Sequence, residues 1–168
     1  METKEHIISV FDLENFVRIA KKLNSTEIFE LIDSIQKLTI DYLKDVNPRV
    51  INNMGDGNLL IFNNEHPNEV IKILFELKNE IELLIQSRGF NNKVSVSSHV
   101  GDITIGNFGK EPFLSTNAFG EAINNTFLMN GKPFKGRFSI SPQLFRKLDK
   151  ETRKSYHKYT PQIMYLAE

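Results

Sequence analysis

Ile7-Ile8-Ser9-Val10-Phe11-Asp12 and Asn53-Met54-Gly55-Asp56-Gly57-Asn58-Leu59-Leu60-Ile61-Phe62 are two apolar stretches, each with a carboxylate at one end. The first reads as a buried strand that stops at Asp12. In the second, Val50-Ile51 and Leu59 to Phe62 flank Gly55-Asp56-Gly57, a hairpin signal because Asp-Gly readily accepts positive φ. A carboxylate at the end of a buried strand is poorly solvated without a partner. Two such groups brought together repel unless a divalent cation sits between them. Paired carboxylates of this kind build two-metal phosphoryl-transfer sites. Taken singly, Asp12 also reads as a strand-end or capping residue and Asp56 as a turn residue.

Working outward, Ile28, Leu31, Ile32, Ile35, Leu38 and Leu43 recur at helical steps, with Ser25 as the expected N-cap and Glu27 in the first turn. Pro67 opens a second amphipathic helix through Val70, Leu74, Leu77, Ile81 and Ile85, and Gly89 stops it. Lys93 to Val100 reads as a strand. Gly101-Asp102 is expected to turn it into a second strand, Ile103 to Gly106, followed by a loop to Gly120 and a short helix through Met129. Phe138 to Ser141 reads as a strand, Ser141-Pro142 starts a helix, and Ile163 to Leu166 forms the last strand. The order β-α-α-β-β-α-β-β-α-β-α-β predicts an α+β fold, a ferredoxin-like α/β sandwich with additions, one sheet face being covered by helices.

With 168 residues and no repeat or linker, the expectation is one domain, 1–168, large enough to bury a core without staples. Twenty-one basic residues balance twenty-one acidic ones, so no net field attracts nucleic acid or an anionic membrane. The absence of cysteine excludes disulfides, thiolate catalysis and Cys-ligated zinc. No apolar signal core or membrane-length run is present, and the expected setting is cytoplasmic.

Four blocks together resemble the class III nucleotidyl cyclases: Phe11-Asp12-Leu13-Glu14-Asn15-Phe16, Asn52-Asn53-Met54-Gly55-Asp56-Gly57, His99 to Gly109 with its Gly106-Asn107-Phe108-Gly109 ending, and Phe119-Gly120-Glu121-Ala122-Ile123-Asn124. The resemblance implies a head-to-tail homodimer acting on a nucleoside triphosphate. It implies two Mg²⁺ or Mn²⁺ ions held by Asp12, Asp56 and the main-chain carbonyl of Leu13. It further implies that Asn124 of a second copy orients the ribose, with Phe16 and Lys158 on the substrate side. Asn52 stands where the family commonly has a base-reading Lys, and Asn117 or a neighbour falls where its partner stands. Leu128 occupies the position of the family's transition-state Arg, and Lys132, Lys135 and Arg137 just downstream could substitute for it.

Two Asn side chains offer donors and acceptors suited to the amide-like edge of uracil. The altered base readers resemble those of the pyrimidine cyclases of bacterial antiphage signalling, which implies conversion of UTP to cUMP or CTP to cCMP. The rival reading is a catalytically inactive cyclase-like domain, a nucleotide-sensing or dimerising regulatory module. Glu14 and Asp102 read as turn or cap residues, and His6, His66, His99 and His157 as surface or strand residues. Phe108, Phe113, Phe119 and Phe127 read as core or dimer-interface anchors.

Overall fold

Side chains of a strand alternate between faces, and residues 7–14 sort accordingly. Ile7, Phe11 and Leu13 are buried on one face of the sheet, while Ile8 and Val10 are buried on the other, the face that Asp12 and Glu14 share. In the computed structural model, which describes residues 2–131, 134–160 and 164–167, the chain runs β1 (Glu2–Leu13), α1 (Phe16–Ala20), α2 (Ser25–Leu43), a 3-10 turn (Lys44–Val46), β2 (Val50–Asn53), β3 (Gly57–Asn63), α3 (Pro67–Ser87), β4 (Val94–Phe108), β5 (Ser115–Phe119), α4 (Glu121–Met129), β6 (Phe138–Ile140), α5 (Pro142–Lys147), α6 (Lys150–Arg153), β7 (Tyr156–Tyr159) and β8 (Met164–Ala167). The strands form a mixed eight-stranded sheet in the order β2-β3-β1-β4-β6-β8-β7, with β5 pairing to β4. Of these pairings only β4–β6 is parallel. The α+β expectation holds.

The long helices cover the first face. α2 and α3 set Leu31, Ile35, Leu74, Leu77 and Ile81 against Ile7, Phe11, Phe62 and Phe138 in one apolar cluster. The N-cap of α2 is Asn24 rather than Ser25. The Asn24 side chain accepts from the backbone N–H groups of Thr26 and Glu27 at 2.9 and 3.0 Å, and Glu27 reaches back to the Asn24 N–H at 2.7 Å. That reciprocal box satisfies more of the helix's open donors than a serine one position later could. α3 is tied to β4 through Glu82, which takes Lys78, Lys93 and the N–H of Val94. Burial works against the Glu82 charge, yet the hydrogen bonds from these partners hold its carboxyl below the ordinary value.

Four expectations are corrected. Gly101-Asp102 is no turn: β4 runs unbroken from Val94 to Phe108 and pairs with β1 from Val94 to Ile105. Gly101 is there for clearance, because a Cβ at that position would lie 2.7 Å from the Ala122 Cβ of α4. The segment read as a loop before Gly120 contains β5, and α6 and β7 were not foreseen. Helices do not keep to one face, since α4 packs Ala122 and Ile123 with Ile8, Val10, Val50, Leu59, Ile61 and Ile103 on the second. Among the four phenylalanines, none belongs to the core of the chain: Phe108, Phe113, Phe119 and Phe127 are 57%, 85%, 56% and 39% exposed. Ile163, the expected start of the last strand, and Lys132 lie outside the described residues.

On the second face the apolar cluster under α4 is separated from a smaller one, Phe134, Met164 and Leu166, carried by β8 and the segment before β6. Between them lies a polar floor. Ser97 hydrogen-bonds Ser139 and Asn130 there, at 2.8 and 3.1 Å. Asp12 and Glu14 open onto the same side, which places both carboxylates in the gap. Among the described residues no helix is long and apolar enough to cross a membrane.

Candidate active site

The two carboxylates named from sequence approach each other across β1 and the β2–β3 hairpin. Asp12 stands opposite Gly57 in the β1–β3 register, and the N–H of Leu13 donates to the main-chain oxygen of Asp56 at 3.3 Å. A Cβ on Gly57 would come within 2.5 Å of the Phe11 carbonyl oxygen, so the close passage of the hairpin needs glycine. The positive φ of the turn falls on Gly55, at 85°, rather than on Gly57.

Asp12 is half-buried. Burial raises its carboxyl above the ordinary value, and the charges of Asp56 and Glu14 raise it further against a smaller opposing effect of Lys135. A cleft of about 360 Å³ opens over Asp12, walled by Met54, Gly57, Phe127, Asn130 and Lys135. Asp56 is half-buried at the turn, near enough to act on Asp12 but not part of that wall. Among the described residues no group of three acidic or histidine side chains is set to hold a metal ion. Two mutually repelling oxygen donors nevertheless fit a hard divalent cation completed by backbone, water or phosphate oxygens.

The raised Asp12 carboxyl has a consequence for stability. An acid that binds its proton more tightly when folded costs stability as pH rises through its folded pKa. Asp12→Asn should therefore melt higher than the parent chain at pH 7 with a chelator present, by no more than about 2 °C once solvent screening is allowed for. The gap should close below pH 4, where both side chains are neutral. A lower melting temperature for Asp12→Asn at pH 7 would contradict this electrostatic picture.

Asn52 and Asn117, separate in sequence, meet in space: Asn52 Nδ2 donates to Asn117 Oδ1 at 3.0 Å. The same Asn117 oxygen accepts the N–H of Ala118 at 2.9 Å. A backbone N–H can only donate, so both amides are fixed in orientation. The pair offers the Asn52 oxygen as acceptor and the Asn117 amino group as donor to whatever binds beside it.

The remaining candidates are scattered. Asn124 is exposed on α4 and does not line the Asp12 cleft, and Leu128 on the same helix is 78% exposed. Phe16 packs, partly buried, against the core on the helix side. Lys158 is exposed on the edge strand β7, four strands from β1 and hence about 19 Å away across the sheet. Arg137 lines a groove on the α3 side.

Glu14, set aside as a turn residue, is 7% exposed and accepts from the Ser95 hydroxyl. Its other oxygen lies 3.4 Å from Lys135 Nζ. The alternation Ile8, Val10, Asp12, Glu14 was the signal that could have placed it beside Asp12.

No protein-family model matches the sequence, and no curated protein matches it. Solved structures do. The guanylyl cyclase Cya2 superposes with a TM-score of 0.82 at 16% identity, covering 99% of this chain and 92% of that one. The adenylyl cyclase CyaB from P. aeruginosa gives 0.82 at 14%, covering 100% and 96%. The guanylate cyclase domain of RhGC from Catenaria anguillulae, in complex with GTP, gives 0.79 at 12%, covering 99% and 96%. Similarity this low in sequence and this complete in architecture establishes one thing: the chain has the class III nucleotidyl cyclase fold.

Proposed function

We propose that residues 1–168 form a single nucleotidyl cyclase domain converting a nucleoside triphosphate into a 3′,5′-cyclic nucleotide and pyrophosphate. The observation that carries this reading is the approach of Asp56 to Asp12 beside an open cleft, in a fold shared with adenylyl and guanylyl cyclases. The ribose 3′-oxygen attacks the α-phosphorus, forming one P–O bond as the bond to the β-phosphate breaks. Pyrophosphate leaves with the electron pair, and the hydroxyl proton passes to water. Two Mg²⁺ or Mn²⁺ ions, when held by Asp12, Asp56 and the carbonyl of Leu13, would supply charge neutralisation on the phosphates and a more acidic hydroxyl.

In this reading Asn124 reaches the ribose from a second copy in a head-to-tail homodimer, with Lys158 on the triphosphate, while Phe16, packed against the core on the helix side, is left out of the site. The bare Phe108, Phe113, Phe119, Phe127 and Leu128 are the apolar surface such a dimer would cover. The base is read as a pyrimidine because Asn52 and Asn117 replace the residues with which purine cyclases commonly read theirs. The Asn117 amino group would meet O4 of uracil while the Asn52 oxygen takes its N3–H, and the N3 and amino group of cytosine satisfy the same two atoms. The product, cUMP or cCMP, would be a diffusible messenger in a cytoplasmic antiphage response.

Incubating the protein with each of the four triphosphates and Mn²⁺ tests the reading. Cyclic UMP or CMP should form at least about tenfold faster than either purine product, a margin within reach of a hydrogen-bonding site. Faster turnover of ATP or GTP would refute pyrimidine selectivity. No turnover of any would leave a nucleotide-sensing or dimerising module, the reading that Leu128 at the expected Arg position favours.

A further inference from the structure

Lys135 is a cation beside the Asp12 carboxylate, whose charge it acts on. It belongs to the segment between α4 and β6, and its side chain is half-exposed. It lines both the Asp12 cleft and an adjoining groove of about 570 Å³ shared with Glu14, Asn15 and Arg18. Its place is set from below. Ser95 donates its hydroxyl proton to Glu14, and the N–H of the next residue, Gly136, donates to Ser95 Oγ at 2.6 Å. Asn92 Nδ2 donates to the Glu14 main-chain oxygen at 2.6 Å, fixing the strand end that carries the carboxylate.

A carboxylate as buried as Glu14 is costly without a cation, which accounts for the 3.4 Å approach of Lys135 Nζ to its Oε2. One ammonium proton suffices for that contact, which leaves two donors on a half-exposed side chain that lines the Asp12 cleft. Among the described residues, no other cation of this chain lines this cleft. Arg137 faces the α3 side, Arg18 lines only the adjoining groove, and α4 offers exposed Leu128.

We propose that Lys135, anchored by Glu14, is a phosphate-binding residue of this cleft and acts from the same subunit as Asp12, replacing a cation otherwise delivered by α4 of a second copy. The inference rests on the cyclase reading for its chemistry. As the O3′–P bond forms and pyrophosphate departs, the ammonium stabilises charge on the phosphate oxygens.

Titration calorimetry with inorganic tripolyphosphate and Mn²⁺ tests it without requiring turnover. Lys135→Ala should bind about tenfold more weakly than the parent chain, whereas Lys135→Arg and the control Leu128→Ala should stay within threefold. In cyclisation, Lys135→Ala should lose about a hundredfold in kcat, and Leu128→Arg added to it should restore at least tenfold. Unchanged tripolyphosphate affinity in Lys135→Ala would overturn the inference whatever the activity. A parent chain that turns over no triphosphate, yet loses tripolyphosphate affinity with Lys135→Ala, would overturn the cyclase reading and support Lys135 as the phosphate ligand.

Discussion

Asp56→Ala should lower cyclic-nucleotide formation by about 10³-fold or more in a protein that still folds. A metal-held transition state is worth several kcal/mol, and each 1.4 kcal/mol is a factor of ten. The substitution removes a carboxylate while sparing the scaffold, because the hydrogen bond from the N–H of Leu13 goes to the main-chain oxygen of Asp56. The side chain is only half-buried, and its loss relieves repulsion on Asp12, so the melting temperature should move by less than about 2 °C. Product formation measured with the preferred triphosphate and Mn²⁺, beside a thermal melt, separates the two effects. Activity within tenfold of the parent chain would remove Asp56 from the site.

Phe138→Ala should cost about 3–5 kcal/mol, lowering the melting temperature by about 10 °C. Phe138 is 1% exposed on β6, and its ring meets Phe75 of α3 edge-on at 5.9 Å and Tyr156 of β7 at 6.2 Å. It joins the helix layer to the β6–β8–β7 half of the sheet, where the strands are only three or four residues long and hydrogen-bond ladders are short. Truncation leaves a cavity that these short strands are poorly able to close. Phe138→Leu, nearer in volume, should cost about 1–2 kcal/mol. A shift below about 3 °C for the alanine variant, read by thermal or urea denaturation, would show that this half of the sheet draws its stability elsewhere.

The central fold could be read from sequence because its signals are local. The apolar run of β1, the Gly55-Asp56-Gly57 hairpin, Pro67 at the start of α3 and Ser141-Pro142 at the start of α5 each declare themselves within a few residues. Gly101 misled for a tertiary reason. Its missing side chain makes room for Ala122, twenty-one positions later, and nothing adjacent distinguishes that from a turn. β5 was missed because Ser115-Thr116-Asn117 lacks strand hydrophobicity; its pairing with β4 defines it. The approach of Asp12 to Asp56 could be anticipated because both stand at ends of neighbouring strands. Glu14 and Lys135 could not be paired in advance: their meeting depends on Ser95 of β4, which binds both Glu14 and the N–H of Gly136 beside Lys135, and no motif links these residues.

The Asn52–Asn117 hydrogen bond bears on how such a protein can diverge. Each amide uses the other to satisfy part of its polarity, so replacing one strands its neighbour at a cost of about 1 kcal/mol. Lineages changing these positions would do so in tandem, because the one-substitution intermediate carries a penalty without a new recognition surface. Under the proposed base-reading role, ligand choice would be inherited as a two-residue unit, an epistatic lock spanning the sheet edge and the strand folded over it.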